Sequence, residues 1–101
     1  MPKTTLKNLS EEDLESVAIL FRTLGEASRL KIISTLQSGE RNVTEIVGFT
    51  NLSQPNVSRH LSVLLNAGLI GKRKEGLNVL YRITDKSLVD MCDIVCKKIK
   101  K

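Results

Sequence analysis

Histidine occurs once and cysteine twice in this sequence, and no glycine-rich loop is present to cradle a phosphate. No Ser-His-acid arrangement appears either, so nothing is left for a catalytic site and the sequence argues against an enzyme. No apolar run approaches the roughly 18 residues of a membrane span, and no membrane partner is expected. The stretch "MPKTTLKNLSEED" holds no hydrophobic signal core, which leads to the expectation of a cytoplasmic protein. Thiols stay reduced there, and Cys92 and Cys96, four apart, do not make a disulfide framework. Repeats, low-complexity runs and linkers are missing as well. Residues 1–101 are therefore expected to form a single domain, small enough to be marginal as a lone monomer.

What is present is an uneven surplus of positive charge. The net charge is +5. Residues 1–51 carry six Lys/Arg against seven Asp/Glu, residues 52–82 carry five against Glu75 alone, and residues 83–101 carry five against three. A basic second half suits a polyanion such as nucleic acid, with a soluble basic surface as the other reading.

The hydrophobic period then divides the chain. In "SEEDLESVAILFRTLG", Ser10 stands three residues before Asp13 as in a capping box. Leu14, Val17, Ala18, Phe21 and Leu24 form one stripe, predicting a helix over about 10–24 that Gly25 ends. A second helix in "EASRLKIISTLQSG" aligns Leu30, Ile33 and Leu36 and stops at Gly39. Asn42, with Glu45 three residues on, caps a short third helix in "NVTEIVGFTN". Ser53 caps the fourth, "LSQPNVSRHLSVLLNAG", where Pro55 is tolerated in the first turn and Val57, Leu61, Leu64 and Leu65 face inward. "LIGKRKEGLNVLYRIT" predicts strands over Leu69–Lys74 and Val79–Ile83 around a turn at Gly76. Thr84 is the expected cap of a last helix over about 86–99, with lysines 97, 98, 100 and 101 at its C-terminal end. The order is ααααββα. It predicts a mainly α protein with a β-hairpin wing, a winged helix-turn-helix.

In such a fold the second helix of the motif enters the major groove, and its N-terminal residues meet the bases. The fourth helix turns Pro55, Asn56, Arg59, Ser62 and Asn66 away from its stripe, with Gln54 and Ser58 at the edge. Arg59 can grip guanine through two hydrogen bonds, and Gln54 or Asn56 can do so with adenine. Ser53 and the helix N-terminus suit a phosphate. Lys72, Arg73 and Lys74 on the wing suit phosphate or the minor groove, with Asn78 nearby. Double-stranded DNA is the expected partner, and a winged-helix module for protein or RNA is the alternative. His60 lies beside the stripe and is expected to be half-buried, packing or hydrogen bonding rather than binding metal.

"LGEASRLKIISTL", "LSQPNVSRHLSVLLNAGLI" and "KRKEGLNVLYRI" resemble the arsenic-repressor (ArsR/SmtB) family of winged-helix transcriptional regulators, from about Ala18 to Asp85. The resemblance implies a homodimeric repressor that an inducer releases from a palindromic operator, with the first and last helices as dimer interface. It matches Gln54, Pro55, Ser58 and Arg59 to the family's base-reading helix, although Pro55 lacks the hydroxyl some members carry there. The family's arsenic-type metal site has no cysteine to use in "VTEIVGF". Its zinc-type site keeps Asp85, but Ser87 stands in the histidine position and Lys98 and Lys101 near the other two. Lysine, with a pKa of about 10.4, is no zinc ligand at neutral pH.

The last helix gathers Leu88, Val89, Met91, Cys92, Val95, Cys96 and Ile99 in one broad arc, which a second copy of the chain would cover. Cys92 and Cys96 lie inside that arc at i, i+4, a workable pair for a soft metal ion or for thiol redox chemistry. Free cysteine also packs as a small hydrophobe. Packing and sensing both stand open on the sequence.

Overall fold

A computed structural model describes residues 5–100. Residues 1–4 and Lys101 lie outside the described residues. A short 3-10 turn at Leu6–Asn8 precedes α1 (Glu11–Leu24), α2 (Ala27–Gln37), α3 (Val43–Thr50) and α4 (Gln54–Asn66). An antiparallel hairpin of β1 (Ile70–Glu75) and β2 (Asn78–Ile83) leads into α5 (Lys86–Ile99).

The helices begin where their local chemistry directs. Ser10 Oγ accepts from the Asp13 N–H at 3.0 Å. Asn42 and Glu45 form a complete capping box, each side chain accepting from the other's backbone N–H, at 2.8 and 2.9 Å. Ser53 Oγ accepts from the Asn56 N–H at 3.3 Å. α5 departs from expectation: Asp85, not Thr84, is its cap, accepting from the Ser87 N–H at 2.9 Å. Thr84 is drawn aside because its own N–H donates to the Leu69 carbonyl at 3.2 Å. The charged carboxylate of Asp85 also suits the positive end of the helix better than a hydroxyl.

α4 closes in a Schellman motif. Gly68, at φ +74°, donates to Leu65 O at 3.0 Å, and Leu69 donates to Leu64 O at 3.1 Å. Leu69 therefore completes the helix end, and β1 starts one residue later than the alternation predicts. The hairpin closes at the Glu75–Asn78 pair, with Gly76 at φ +63° supplying the left-handed residue such a short connection needs. Gly71 has a different task. A Cβ there would sit 2.9 Å from Thr84 Cγ2, so the strand can pass the start of α5 only without a side chain.

One core holds these elements together. Ile32, Ile33 and Leu36 of α2 meet Ile46 of α3, then Val57, Leu61 and Leu64 of α4, with Leu69, Ile70 and Leu88 closing the cluster. Each such side chain contributes about 1.5–3 kcal/mol on burial. The wing is fastened to the helices at Arg41, whose N–H and C=O pair with Tyr81 of β2 at 3.1 and 2.8 Å. α1 adds no fully buried apolar residue, and α5 adds only Leu88. Both terminal helices thus lean on the core while turning apolar side chains outward.

Candidate nucleic-acid interface

The turn between α3 and α4 is locked by Thr50 and Asn51, which the sequence reading did not single out. Buried Thr50 donates its hydroxyl to Ile46 O at 2.7 Å and accepts from the Leu52 N–H at 3.3 Å. Asn51 adopts the left-handed conformation at φ +60°, where asparagine is the usual substitute for glycine. The Thr-Asn pair after an apolar helix was the available signal.

That turn presents α4 with Val57, Leu61 and Leu64 buried and with Gln54, Pro55, Ser58, Arg59, Ser62 and Asn66 exposed. Asn56 is half-buried, and its Oδ1 accepts from Arg59 Nη2 at 3.1 Å. Asn56 therefore aims the Arg59 guanidinium. Ser53 accepts from the helix backbone, and its hydroxyl proton stays free to donate. The N-terminal half of α4 thus offers a forked cation, an amide and two hydroxyls on one open surface.

On the wing, strand alternation separates the three basic residues. Lys72 and Lys74 share one face of β1, both exposed, and Arg73 points to the other. The Arg73 guanidinium donates from Nε and Nη2 to the two carboxylate oxygens of Glu40, each at 2.8 Å. Its Nη1 lies 2.9 Å from Glu75 Oε2. The hydrogen bond from Arg73 holds the Glu40 carboxyl below the usual carboxylate range, and those same bonds push the Arg73 guanidinium up. Glu40 carries no sequence signal for this role, because its partner is 33 residues away. Asn78 is exposed beside Leu77, whose side chain stands wholly in solvent at the wing tip.

His60 is more deeply buried than expected, only 6% exposed. Its Nδ1 lies 3.3 Å from Arg29 Nη1, which donates when the ring is neutral. Arg29 also donates from Nε to Thr23 O at 2.6 Å and from Nη2 to Arg22 O at 3.4 Å, sealing the C-terminal end of α1. Burial, then the positive charges of Arg29 and Arg59, push the His60 imidazole below its ordinary value of 6.5, against a smaller opposing effect of Glu26. The unfolded chain takes up that proton first. His60 accordingly contributes stability that is complete above pH 6.5 and falls as the pH drops below it. Denaturant midpoints of the wild type are expected to fall more between pH 7.5 and 5.5 than those of His60→Asn, and equal slopes would remove His60 as the source.

The two cysteines are placed differently. Cys92 is half-buried in an open apolar hollow of about 350 Å³ between α1, α2 and α5, lined also by Phe21, Leu24, Leu30 and Met91. Burial and the neighbouring Cys96 push its thiol up, away from the reactive thiolate. Cys96 is exposed. Asp85, the residue matching the family's zinc position, is occupied with capping, and the hydrogen bond from the Ser87 hydroxyl holds its carboxyl below the usual range. Among the described residues no group of three or more His, Cys, Asp or Glu comes together as a metal cage. Phe21 and Val95, which line the hollow, are exposed, as are Leu14 and Ile19 of α1 and Ile94 and Ile99 of α5.

Residues 26–72 match the family described as "Bacterial regulatory protein, arsR family". A biofilm growth-associated repressor of Xylella fastidiosa is 33% identical over 89 residues, covering 84% of this chain and 78% of that protein. A probable mercury resistance operon repressor of Streptomyces lividans is 35% identical over 77 residues, covering 76% of this chain, which spans 62% of that relative's length. The homodimeric winged helix-turn-helix DNA-binding domain of a Mycobacterium bovis protein superposes with a TM-score of 0.80 at 28% identity, covering 92% of this chain and 89% of the domain. The family match holds α2, α3 and α4 with the start of β1, and so the helix-turn-helix assembled above. The chain belongs to the arsR family of bacterial regulatory proteins.

Proposed function

We propose that this protein is a homodimeric, sequence-specific DNA-binding repressor acting in the cytoplasm on a palindromic operator. The observation that carries the reading is the open N-terminal face of α4, where Asn56 aims Arg59 beside exposed Gln54 and Ser58. Arg59 reads guanine, Gln54 and Ser58 contact neighbouring base edges, and Ser53 holds a phosphate. Lys72 and Lys74 contact the phosphates flanking the helix. Homodimerisation has its support in the outward apolar residues of α1 and α5 and in the homodimeric relative of the same fold. A two-fold dimer reads two half-sites about one helical turn apart, which is the geometric origin of the palindrome.

Duplex binding measured over a range of salt tests the reading. Arg59→Ala is expected to cost about 1–3 kcal/mol and to relax preference at one base pair per half-site. Lys72→Ala or Lys74→Ala weakens binding to every sequence and flattens the salt slope by about 1 per lost contact. Preference for RNA, or no salt-dependent duplex binding, would move the protein to the class of winged-helix interaction modules.

The inducer acts at the α1–α5 region in this reading. A soft metal or a thiol oxidant reaches the exposed Cys96 before Cys92, and the resemblance to a mercury resistance repressor supports soft-metal chemistry. Arsenite, mercuric ion or peroxide is expected to release wild-type protein from DNA but not Cys96→Ser. Equal release of both would exclude Cys96.

A further inference from the structure

We propose that Arg73 is the positioning residue of the wing rather than one of its phosphate contacts, and that Glu40 is the anchor it is fastened to. The inference rests on the DNA-binding reading above. Three of the guanidinium's nitrogens are already engaged: Nε and Nη2 by Glu40 at 2.8 Å each, and Nη1 by Glu75 at 2.9 Å. A phosphate would have to share the guanidinium with two carboxylates, whose combined charge already exceeds its own. A two-point fork between guanidinium and carboxylate is the geometry in which an exposed ion pair fixes orientation as well as distance.

The location of the anchor gives the pair its effect. Glu40 lies in the turn between α2 and α3, immediately before Arg41, whose backbone pairs with Tyr81 of β2. Arg73 belongs to β1, and its cross-strand partner is Leu80, the neighbour of Tyr81. One turn of the helical body therefore holds both strands of the wing, β2 through the backbone and β1 through the ion pair. Lys72 and Lys74 flank Arg73 on the opposite face of β1, so fixing Arg73 fixes the direction in which both lysines point. Without the fork, only the Arg41–Tyr81 bridge near the base of the hairpin holds the strands to that turn.

The proposal has a sign that simple charge counting does not share. Removing a carboxylate from a DNA-binding protein should tighten binding by Coulomb's law. Here Glu40→Ala is expected to weaken duplex binding about fivefold, the upper end of what an exposed but bidentate pair contributes. Arg73→Gln weakens binding similarly while leaving the slope of log K against log salt unchanged. The charge-swapped double variant Glu40→Arg/Arg73→Glu restores binding toward wild type, because the fork re-forms in reverse. A phosphate contact cannot be rescued this way.

The experiment is a salt titration of duplex binding for wild type, the two single variants and the swapped pair, with circular dichroism melts as a folding check. Failure of the wild type to bind duplex DNA sinks the functional reading and this one with it. With the wild type binding, three results overturn the positioning role alone. They are unchanged or tighter binding by Glu40→Ala, a slope flattened by about 0.9 in Arg73→Gln, or no rescue in a swapped pair whose melt matches wild type. Should Arg73→Gln fail to fold, Glu40→Ala and the swapped pair decide the question without it.

Discussion

Val95→Glu is expected to leave a folded monomer that binds its operator about a hundredfold more weakly than the wild type. Val95 is half exposed in the wall of the open hollow between α1, α2 and α5 and takes no part in the buried core, so a carboxylate there costs the monomer little. In a dimer packed through α1 and α5 the same carboxylate would be enclosed among Phe21 and its neighbours without a cation to pair it. An unpaired buried charge costs about 3–5 kcal/mol, which raises a dimer dissociation constant by about two to three and a half orders of magnitude. A monomer engages one half-site and loses the gain of linked binding, which is on the order of a hundredfold or more. Light scattering coupled to size exclusion reports the mass, and a binding titration on full and half operators reports the affinity. A Val95→Glu protein that stays dimeric would remove the α1–α5 face as the interface.

Leu88→Ala is expected to destabilise the protein by about 2–5 kcal/mol, out of the 5–15 kcal/mol that a domain of this size typically has. Leu88 has no exposed surface and is the only fully buried side chain of α5. Met91 and Cys92 pack beside it but are only half-buried, and the rest of the helix faces outward. Truncation opens a cavity against the α2–α4 core and loosens the attachment of the whole helix. Amide exchange should therefore quicken along Lys86–Ile99 before it does in α4, while the denaturant midpoint falls. A loss below about 1 kcal/mol would mean that a partner subunit, not the chain's own core, holds α5 in place.

These two predictions bear on the same point, whether a second copy completes the terminal helices. Its core is built by α2, α3 and α4 with Leu69 and Ile70, and the terminal helices add one buried apolar side chain between them. The apolar arc of α5 and the stripe of α1 were both visible in the spacing of the sequence. Spacing alone did not separate the few positions that meet the chain's own core from the many that meet solvent. Cys92 and Cys96 illustrate it. They sit one turn apart, equivalent in the pattern, and both line the hollow, yet Cys92 is half-buried with a raised thiol and Cys96 is exposed.

The sequence by itself determined whatever depends on neighbours within about one helical turn. Ser10, the Asn42–Glu45 box, Ser53 and the glycine stop at Gly68 were legible because each cap and its partner lie three or four residues apart. The inward stripe of α4 was legible for the same reason, and with it the outward position of Gln54, Ser58 and Arg59. The tertiary structure decided everything whose partner is distant. Thr84 was the expected cap of α5, and Asp85 took that place once the Thr84 N–H was claimed by Leu69. His60 was an ambiguous edge residue until Arg29, 31 positions earlier, came to face it. Arg73 stood as one of three similar basic residues until the fold brought up Glu40. A local pattern carries no information about which of many distant charges will arrive, because chain closure over thirty residues is settled by the packing of the core and not by the residues that end up paired.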